Sequence, residues 1–488
     1  MYRLGLLGRS ATALTLSGLR SCSRASAIPK PEGVLRHVES LIKFRGGPIS
    51  FSEYMQVALN SPVGGYYGGI PSTKASSDPV IGAKGDFVTS PEISQLFGEM
   101  IGLWCVTVWK QLGCPEALRI VELGPGKGTL MADMIRSTRA SSSTFKAFQD
   151  ALFNNPNAGG VHLVEVSPGL REKQRAALAP FLTTVPAHSD PSYDPGKRGQ
   201  VHWHRTLLDV PNDNVCSIYI GHEFLDALPV HLFTKDEKHG WSEVLVGLKN
   251  LSKLTSSSNG NSSPEMELQL LQSSGSTPAV KLLLEPRLAS LPSHKRESLK
   301  QMEVSGSVLD HAVEIAKRIG VGPSGGAGGA ALFIDYGYAD LPGQSSTRAI
   351  HNHRLLGSLL DMPGEADLTA DVDFGAIRWA VGNAASKTSK SNAGGQPPVQ
   401  VHGPVSQAHF LHSLGIGHRL QALLSKASPE QAQDLILGYK RLTSGEDDED
   451  TAALGDHGIA GMGKAYKALA MTSWSTEEQS PPVGFEQI

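Results

Sequence analysis

The chain contains little cysteine and no long apolar run. Its 488 residues include four cysteines, Cys22, Cys105, Cys114 and Cys216, and no two of them form a Cys-x-x-Cys pair. This pattern excludes a disulfide framework and favours a reducing compartment. No segment approaches the roughly 18 consecutive apolar residues that a membrane-spanning helix needs. The sequence therefore predicts a protein without a transmembrane segment.

Net charge is also small, and acidic residues are absent from the N-terminus. The formal net charge is −3, which gives no overall attraction to nucleic acid or anionic lipid, so we expect no nucleic-acid partner. No Asp or Glu precedes Glu32, whereas the preceding segment carries arginines scattered among Leu, Ala, Ser and Thr. This composition is typical of a mitochondrial transit peptide, which we place at residues 1–30. It predicts the mitochondrial matrix as the location; a disordered tail of chance composition is the alternative.

The spacing of apolar residues changes along the chain. Residues 31–115 have mainly helical spacing, and from about residue 116 short apolar strands alternate with helices. The strands are expected at 118–123, 161–166, 215–220 and 330–335. This alternation predicts an α/β fold with a Rossmann-like parallel sheet covered on both faces. We expect one α/β domain at 116–380, with an inserted Ser- and Gly-rich loop at 250–280, and an extension of the same domain at 381–488.

The sharpest motif is a glycine-rich turn after the first of these strands. Glu122 lies near the end of the strand and is followed by Gly124, Pro125, Gly126 and Gly128, which gives Gly-x-Gly-x-Gly. Glycines let such a turn bring bare backbone against a ligand. Open α/β sheets bind their ligands at this carboxyl edge.

Several ligands compete for this turn. A P-loop requires GxxxxGK[ST], and the spacing here does not supply it. A dinucleotide site would favour GxGxxG, with a pyrophosphate at the helix N-terminus. Gly-x-Gly-x-Gly preceded by Glu122 instead suits a cationic ligand without phosphate, and S-adenosylmethionine fits this description. The carboxylate would accommodate its ammonium and the glycines its aminocarboxyl end; a turn without a ligand is the remaining alternative.

Two further segments are expected to contact the same cofactor. The second strand leads into Glu165, whose carboxylate can accept hydrogen bonds from ribose hydroxyls or can stabilise the N-terminus of the next helix. Thr89 and Ser90 precede an apolar helix at about 93–108 and are expected to close over the cofactor.

His202 and His204 alternate along a short apolar segment, so both imidazoles are expected on one face of a strand. No third ligand follows at a spacing typical of metal sites. We therefore predict no metal site.

Six segments of the chain resemble the MidA-like methyltransferases, in the same order over about residues 35–470. They are Gly85–Glu99 (GDFVTSPEISQLFGE), Leu123–Leu130 (LGPGKGTL), His222–Pro229 (HEFLDALP), Asp335–Tyr338 (DYGY), Pro363–Phe374 (PGEADLTADVDF) and Gly403–Gln407 (GPVSQ). His222 departs from this pattern, because many relatives carry Asn there. The resemblance implies an S-adenosylmethionine-dependent methyltransferase, with methyltransferase domain 116–380 and a helical N-terminal region, 31–115, that completes the active site.

The resemblance extends to the mitochondrial members of that family. It implies ω-N-methylation of a protein arginine, to the symmetric dimethyl product, in a core subunit of the iron–sulfur arm of respiratory complex I. It further implies that the chain supports assembly of that complex. Composition and spacing alone would not have named this substrate.

Arginine methylation predicts carboxylates near the methyl donor. A guanidinium is a poor nucleophile with a pKa above about 12, and carboxylates can hold it bidentately. Glu223 and Asp226 directly follow the strand at 215–220 and are our first choice for this role. Alternatively, Asp226 caps a helix while Glu223 binds the cofactor. Asp335 and Tyr336 end another strand and are expected to line the same cleft.

The sequence is compatible with two other classes of protein. One is a non-catalytic assembly factor that keeps the methyltransferase fold; the intact Glu122 and glycine turn favour catalysis over it. The other is a nicotinamide-dependent oxidoreductase, which the Gly-x-Gly-x-Gly spacing disfavours.

Overall fold

The computed structural model describes ten stretches of the chain. They are 32–68, 88–139, 142–181, 201–250, 266–320, 328–339, 345–389, 399–445, 461–473 and 480–486. The predicted transit peptide at 1–30 and residues 85–87 of the first MidA-like segment lie outside them. Within these stretches, no helix is both long and apolar enough to cross a membrane.

The N-terminal region is mainly helical, as predicted. It contains α1 (Glu32–Arg45), β1 (Ile49–Ser50), α2 (Phe51–Asn60), α3 (Ser90–Ile93) and α4 (Gln95–Gln111). The Ser50 side chain caps α2 by accepting a hydrogen bond from the backbone N–H of Glu53. Ser94 caps α4 in the same way, through the N–H of Leu96. Most residues of α4 are buried, which explains its nearly continuous apolar sequence.

A central sheet follows, and its strands lie close to the predicted positions. Its first half contains β2 (Leu118–Leu123), α5 (Thr129–Ser137), α6 (Ser143–Gln149), β3 (Gly160–Val164), α7 (Pro168–Leu178), β4 (Val201–His204) and β5 (Cys216–His222). Short 3₁₀ or π turns occupy Asp150–Asn154, Ala179–Phe181 and Leu207–Asp209. All four of these strands pair in parallel.

The second half of the central sheet comes from later in the chain. It contains α10 (Gly306–Ile319), β10 (Gly329–Tyr338), β14 (Val372–Asp373), α11 (Phe374–Ser389), β15 (Gln400–Ser406), α12 (Gln407–Ser413), α13 (Ile416–Leu424), α14 (Pro429–Thr443), α15 (Met462–Ala465) and β16 (Tyr466–Ser473). The strand order is β15-β16-β10-β5-β2-β3-β4, with β14 beside β10. β16 is antiparallel to both of its neighbours.

Strand order fixes where a ligand can bind. From β2 the chain moves outward to β3 and β4, and then returns to the other side of β2 to form β5. The connections therefore leave in opposite directions on the two sides of β2 and β5, which opens a crevice at their carboxyl ends. Two separate apolar clusters cover the faces of the sheet, one containing Ile120 and Leu163 and the other Val121 and Phe333.

Two smaller sheets lie between β5 and β14 along the chain. The first contains β6 (His231–Asp236), β7 (Gly240–Asn250), β8 (Met266–Gln272) and β9 (Gln301–Val304), and it is joined by β1. Its connections include Val280–Leu284, α8 (Glu285–Ala289) and α9 (Ser293–Ser298). The second contains β11 (Arg348–His351), β12 (Arg354–Leu355) and β13 (Asp367–Thr369).

The prediction of a loop at 250–280 is wrong in part. Residues 251–265 lie outside the described residues, but β8 pairs with β7 over seven residues, antiparallel, from Val244↔Gln272 to Asn250↔Met266. β7 extends beyond its pairing with β6, and its second half, Val244–Asn250, pairs with the segment MELQLLQ. This segment therefore becomes a strand despite its Ser- and Gly-rich surroundings.

Candidate active site

The glycine-rich turn lies at the carboxyl end of β2, and its three alternating glycines have positive φ. The angle is 62° at Gly124, 53° at Gly126 and 85° at Gly128. Residues with a Cβ rarely adopt this left-handed region, so backbone geometry accounts for the spacing of the motif. The N–H of Gly128 donates to the carbonyl of Pro125 at 2.8 Å, which closes the turn ahead of α5.

Gly124 is also required by packing. A Cβ added there would lie 2.8 Å from Cδ2 of Phe224, and its φ would be strained as well. A Cβ at Gly128 would lie 3.1 Å from Cα of Gln174. The turn is thus pressed between the segment after β5 and helix α7.

Glu122 is a buried carboxylate without a full set of partners. It is 3% exposed, and its Oε2 accepts no hydrogen bond from any part of the chain that the structure describes. Burial, followed by repulsion from Glu165, raises its pKa to about 8. A buried acid of this kind is costly on its own and would be stabilised by a cationic ligand.

Glu165 lies just beyond β3, on the same edge of the sheet. Its Oε1 accepts the backbone N–H of Ser167 at 2.8 Å, and its Oε2 accepts Nε2 of Gln174 at 3.3 Å. Gln174 in turn accepts the indole N–H of Trp203 at 2.9 Å. Burial raises the pKa of Glu165 to about 7. The hydrogen bond to Ser167, at the start of α7, agrees with a carboxylate that stabilises the N-terminus of that helix. Glu165 also lines the cavity, so it is placed where it could accept hydrogen bonds from ribose hydroxyls.

The loop before α4 lies over the glycine-rich turn. The Glu92 carboxylate accepts Lys127 Nζ at 2.9 Å and Thr129 Oγ1 at 2.5 Å, so it joins this loop to the turn. Thr89 lines the cavity. Ser90 is buried, and its N–H donates to Oε1 of Glu223 at 3.3 Å. The cap position of α3 is Thr89, whose side chain makes no capping hydrogen bond.

Glu223 opens the turn after β5 in a strained conformation. Its φ is 48°, although it carries a side chain, and its N–H donates to the carbonyl of Ile334 at 3.0 Å. Strained backbone of this kind is concentrated at functional sites. Burial raises the pKa of Glu223. His222 Nε2 lies 3.4 Å from the Glu223 carboxylate, but burial lowers the pKa of His222 to about 3, so the contact is no ion pair.

Asp226, Asp335 and Tyr336 form a buried network behind this turn. Oδ2 of Asp335 accepts the backbone N–H of Leu225 at 2.9 Å and of Asp226 at 3.3 Å. Tyr336 donates its hydroxyl to Oδ2 of Asp226 at 2.5 Å, and Thr369 donates to the same oxygen at 2.8 Å. Burial, then repulsion from Asp226, raises the pKa of Asp335 well above its usual range, so these acids do not all ionise together.

A single large cavity adjoins most of these groups. Its volume is about 490 Å³, within the roughly 300–1,000 Å³ that is typical of ligand sites. Seven of the residues singled out from the sequence line it: Thr89, Glu122, Gly124, Pro125, Gly126, Glu165 and Glu223. Ser90, Gly128, Asp226, Asp335 and Tyr336 do not line it. The last three were expected in the cleft, but their side chains turn under the 223–226 segment and support it from behind.

Sequence reasoning missed part of the cavity wall. Gln56, Asn60 and Tyr67 enter from the N-terminal region, and Arg205 and His311 from the loop after β4 and from α10. Arg205 directly follows β4. The other four stand outside any strand-end motif, so only the folded arrangement of distant segments places them here. Residues 31–115 thus contribute the first three side chains to the cavity wall.

The histidines that we considered as metal ligands form a buried stack. His162 Nδ1 lies 2.8 Å from His204 Nε2, and the His162 ring also lies 4.8 Å from that of His202. Burial lowers the pKa of His204 to about 4 and that of His162 well below its usual range, so these two imidazoles stay neutral. Within the described residues, no group of three His, Cys, Asp or Glu side chains could hold a metal ion.

Residues 100–391 match the family model of S-adenosyl-L-methionine-dependent methyltransferases, which covers more than half of the chain. The chain belongs to this family. Family membership identifies the cofactor, which our reading of Glu122 and the glycine turn had predicted, as S-adenosylmethionine.

Curated relatives of the family are similar over most of their length. The zebrafish protein (Danio rerio) named protein arginine methyltransferase NDUFAF7, mitochondrial, is 35% identical over 88% of this chain and 86% of its own. The rat protein (Rattus norvegicus) of the same name is 37% identical over 84% and 80%. The human protein (Homo sapiens) of that name is 35% identical over 84% and 79%.

A solved structure agrees with the fold. A protein from Burkholderia thailandensis, bound to S-adenosyl-homocysteine, is 23% identical, with a TM-score of 0.63 over 95% of this chain and 96% of its own. At this identity the comparison shows the fold alone, and it confirms the predicted Rossmann-like α/β class. The residues of the cavity themselves fit the cofactor. Oε2 of Glu122, which has no hydrogen-bond partner within the described residues, suits a cation, and the glycines with positive φ let a ligand approach the backbone beside it.

Proposed function

We propose that this chain is a mitochondrial protein-arginine N-methyltransferase. Its proposed product is symmetric dimethylarginine in a core subunit of the iron–sulfur arm of complex I, through which it would support assembly of that complex. The names of the relatives support methylation of protein arginine and the mitochondrial location; the particular subunit, the symmetric product and the matrix rest on the resemblance and on the N-terminal composition.

Electrostatics of the cavity support a cationic substrate. Glu122, Glu165 and Glu223 line the cavity, and none of them has a charged ion-pair partner among the residues that the structure describes. Two cations also line it: the charge of Lys127 is compensated by Glu92, and Arg205 is exposed to solvent. A site that buries three acids and only one, already compensated, lysine favours positively charged ligands. A methyl donor with a sulfonium and a guanidinium substrate would both satisfy it.

Glu223 is the observation that carries the proposal. It lines the cavity from the turn after β5, in a strained backbone conformation fixed by its own N–H and by Ser90. We propose that its carboxylate binds the substrate guanidinium and takes the proton that the attacking nitrogen loses. Burial raises the pKa of Glu223, which makes its carboxylate a better proton acceptor. Asp226, held by Tyr336 and Thr369, would position the turn that carries Glu223.

The cofactor supplies a methyl group on a sulfonium, which leaves as a neutral thioether when the arginine nitrogen attacks in line. Burial of the guanidinium beside Glu223 would keep the nitrogen oriented, and holding both reactants in one cavity could supply up to about 7–11 kcal/mol of the barrier. Helix α3 and the Glu92 contact would exclude water on one side.

The test is methyl transfer to the isolated candidate subunit, read by mass spectrometry and amino-acid analysis. Glu223→Gln keeps size but loses the charge, and we expect kcat to fall by about 100-fold or more. Glu237→Gln, in the exposed turn between β6 and β7, is the matched control and should act as the wild type. A wild-type chain that binds cofactor but leaves every arginine unmodified, and yet restores complex I, would support the non-catalytic assembly factor instead.

A further inference from the structure

The N-terminal wall of the cavity carries three polar side chains that the mechanism above does not use. Gln56 and Asn60 are one turn apart on α2, so they lie on the same face of that helix. Tyr67 follows in the next turn of the chain, where its N–H donates to the carbonyl of Leu59 at 2.8 Å. All three line the same cavity as Glu223. We call Gln56, Asn60 and Tyr67 the acceptor wall.

Tyr67 lines the cavity, and its hydroxyl hydrogen is used within the protein. Its hydroxyl donates to Oδ1 of Asp367 at 3.0 Å, and Asp367 is buried in β13. A phenol has one hydrogen and two lone pairs, so the oxygen lone pairs of Tyr67 remain available. Burial and the neighbouring Asp367 raise the pKa of Tyr67 well above its usual range, which keeps the hydroxyl protonated.

The acceptor wall complements a guanidinium. The amides of Gln56 and Asn60 can each turn a carbonyl oxygen toward a ligand, and Tyr67 can offer its hydroxyl oxygen. None of the three residues is basic, and Glu223 lines the same cavity. A guanidinium offers five N–H donors and no acceptor. Several acceptors directed at one planar cation would discriminate it from the point charge of a lysine.

Resting on the proposed function, we propose that the acceptor wall binds the substrate arginine and selects it over lysine, with Asp367 positioning the Tyr67 hydroxyl. Glu122 and Glu165 extend from the ends of β2 and β3 on the cofactor side. The acceptor wall enters instead from the N-terminal region. In this proposal its residues contact the peptide and not the methyl donor.

The experiment compares Tyr67→Phe with wild type, using a short peptide with a single arginine and the same peptide with lysine. Removing one hydrogen bond to a charged group is expected to lower kcat/KM for the arginine peptide by about tenfold or more. The Kd of S-adenosyl-homocysteine should stay within about twofold. Gln56→Ala and Asn60→Ala should each lower kcat/KM in the same direction.

Tyr54→Phe is the matched control. Like Tyr67→Phe, it removes one tyrosine hydroxyl that donates a hydrogen bond, here from α2 to the carbonyl of Leu359 at 3.3 Å. Tyr54, however, does not line the cavity. Asp367→Ala tests positioning: its effect on kcat/KM should equal that of Tyr67→Phe, and the double variant should be no worse than either.

Three outcomes would overturn the inference. Unchanged kcat/KM in Tyr67→Phe would remove Tyr67 from substrate binding. A parallel loss of S-adenosyl-homocysteine affinity would assign the residue to the cofactor side. A wild-type enzyme that methylates neither peptide would reject the proposed function itself, and with it the guanidinium as ligand, whereas the first two outcomes leave arginine methylation intact.

Discussion

Protonation of Glu122 is expected to control how tightly the chain holds its cofactor. In the free protein, burial and Glu165 raise the pKa of Glu122 to about 8, so at neutral pH most molecules carry the uncharged acid. An ammonium placed beside it would favour the carboxylate. Binding must then release a proton, and affinity must rise with pH until the free acid has ionised.

The size of this effect follows from the pKa. Between pH 6 and pH 8 the ionised fraction of a group with a pKa of about 8 rises about 50-fold. Glu122→Gln has no such proton to lose. The ratio of wild-type Kd to Glu122→Gln Kd for S-adenosyl-homocysteine should therefore fall about 50-fold over this interval. Taking the ratio removes titration of the ligand's own amine, because both proteins bind the same ligand.

Isothermal titration calorimetry measures both the Kd and the number of protons that binding releases. Repeating each titration at pH 7 in buffers of different ionisation enthalpy gives the number of protons released, which should be about 0.9 greater for the wild type than for Glu122→Gln. Glu237→Gln should match the wild type. A Kd ratio that stays constant from pH 6 to pH 8, with equal proton release, would show that Glu122 does not meet the charge of the ligand.

Three other outcomes are expected. Gly124→Ala should lower the free energy of unfolding by about 1–2 kcal/mol and weaken S-adenosyl-homocysteine binding, whereas Gly275→Ala, where an added Cβ meets nothing within 4 Å, should do neither. Glu92→Ala and Lys127→Met should each raise the Kd of S-adenosyl-homocysteine about fivefold. Because the two side chains form an ion pair, additive effects in the double variant would contradict the prediction. His222 has a depressed pKa, so its stabilising contribution is lost as pH falls below about 6.5; by pH 5 the wild type should lose about 2 kcal/mol that His222→Asn retains, as urea titrations would reveal.

Local rules explain why much of this site was predictable. Residues with a Cβ rarely adopt φ angles of 62° or 85°, so the glycines around Gly124 indicate a turn without any knowledge of its neighbours. The ends of parallel strands meet at one edge of a sheet, which places Glu122, Glu165 and Glu223 together once the strands are known. The strand at 118–123 was predicted with both of its ends correct.

The remaining features depend on contacts between distant segments. Asp335 lies near the end of β10, as Glu122 lies near the end of β2. Its carboxylate nevertheless accepts N–H groups of Leu225 and Asp226 and does not line the cavity. Nothing local to Asp335 distinguishes the two. Tyr67 reaches the cavity because its turn is fixed on the end of α2, and β8 forms because β7 extends beyond its pairing with β6. Such pairings are decided by tertiary structure, which no pattern in one segment records.

The position of β16 has a consequence for how the protein can be made. This strand, Tyr466–Ser473, is inserted between β10 and β15, both of which leave the ribosome before it. Until it emerges, the backbone groups on that edge of β10 are unpaired, and β15 has no other strand partner among the residues that the structure describes. A nonsense codon even a few residues ahead of Tyr466 would therefore not yield a slightly shortened enzyme. It would yield a chain with two exposed strand edges, a substrate for chaperones and proteases.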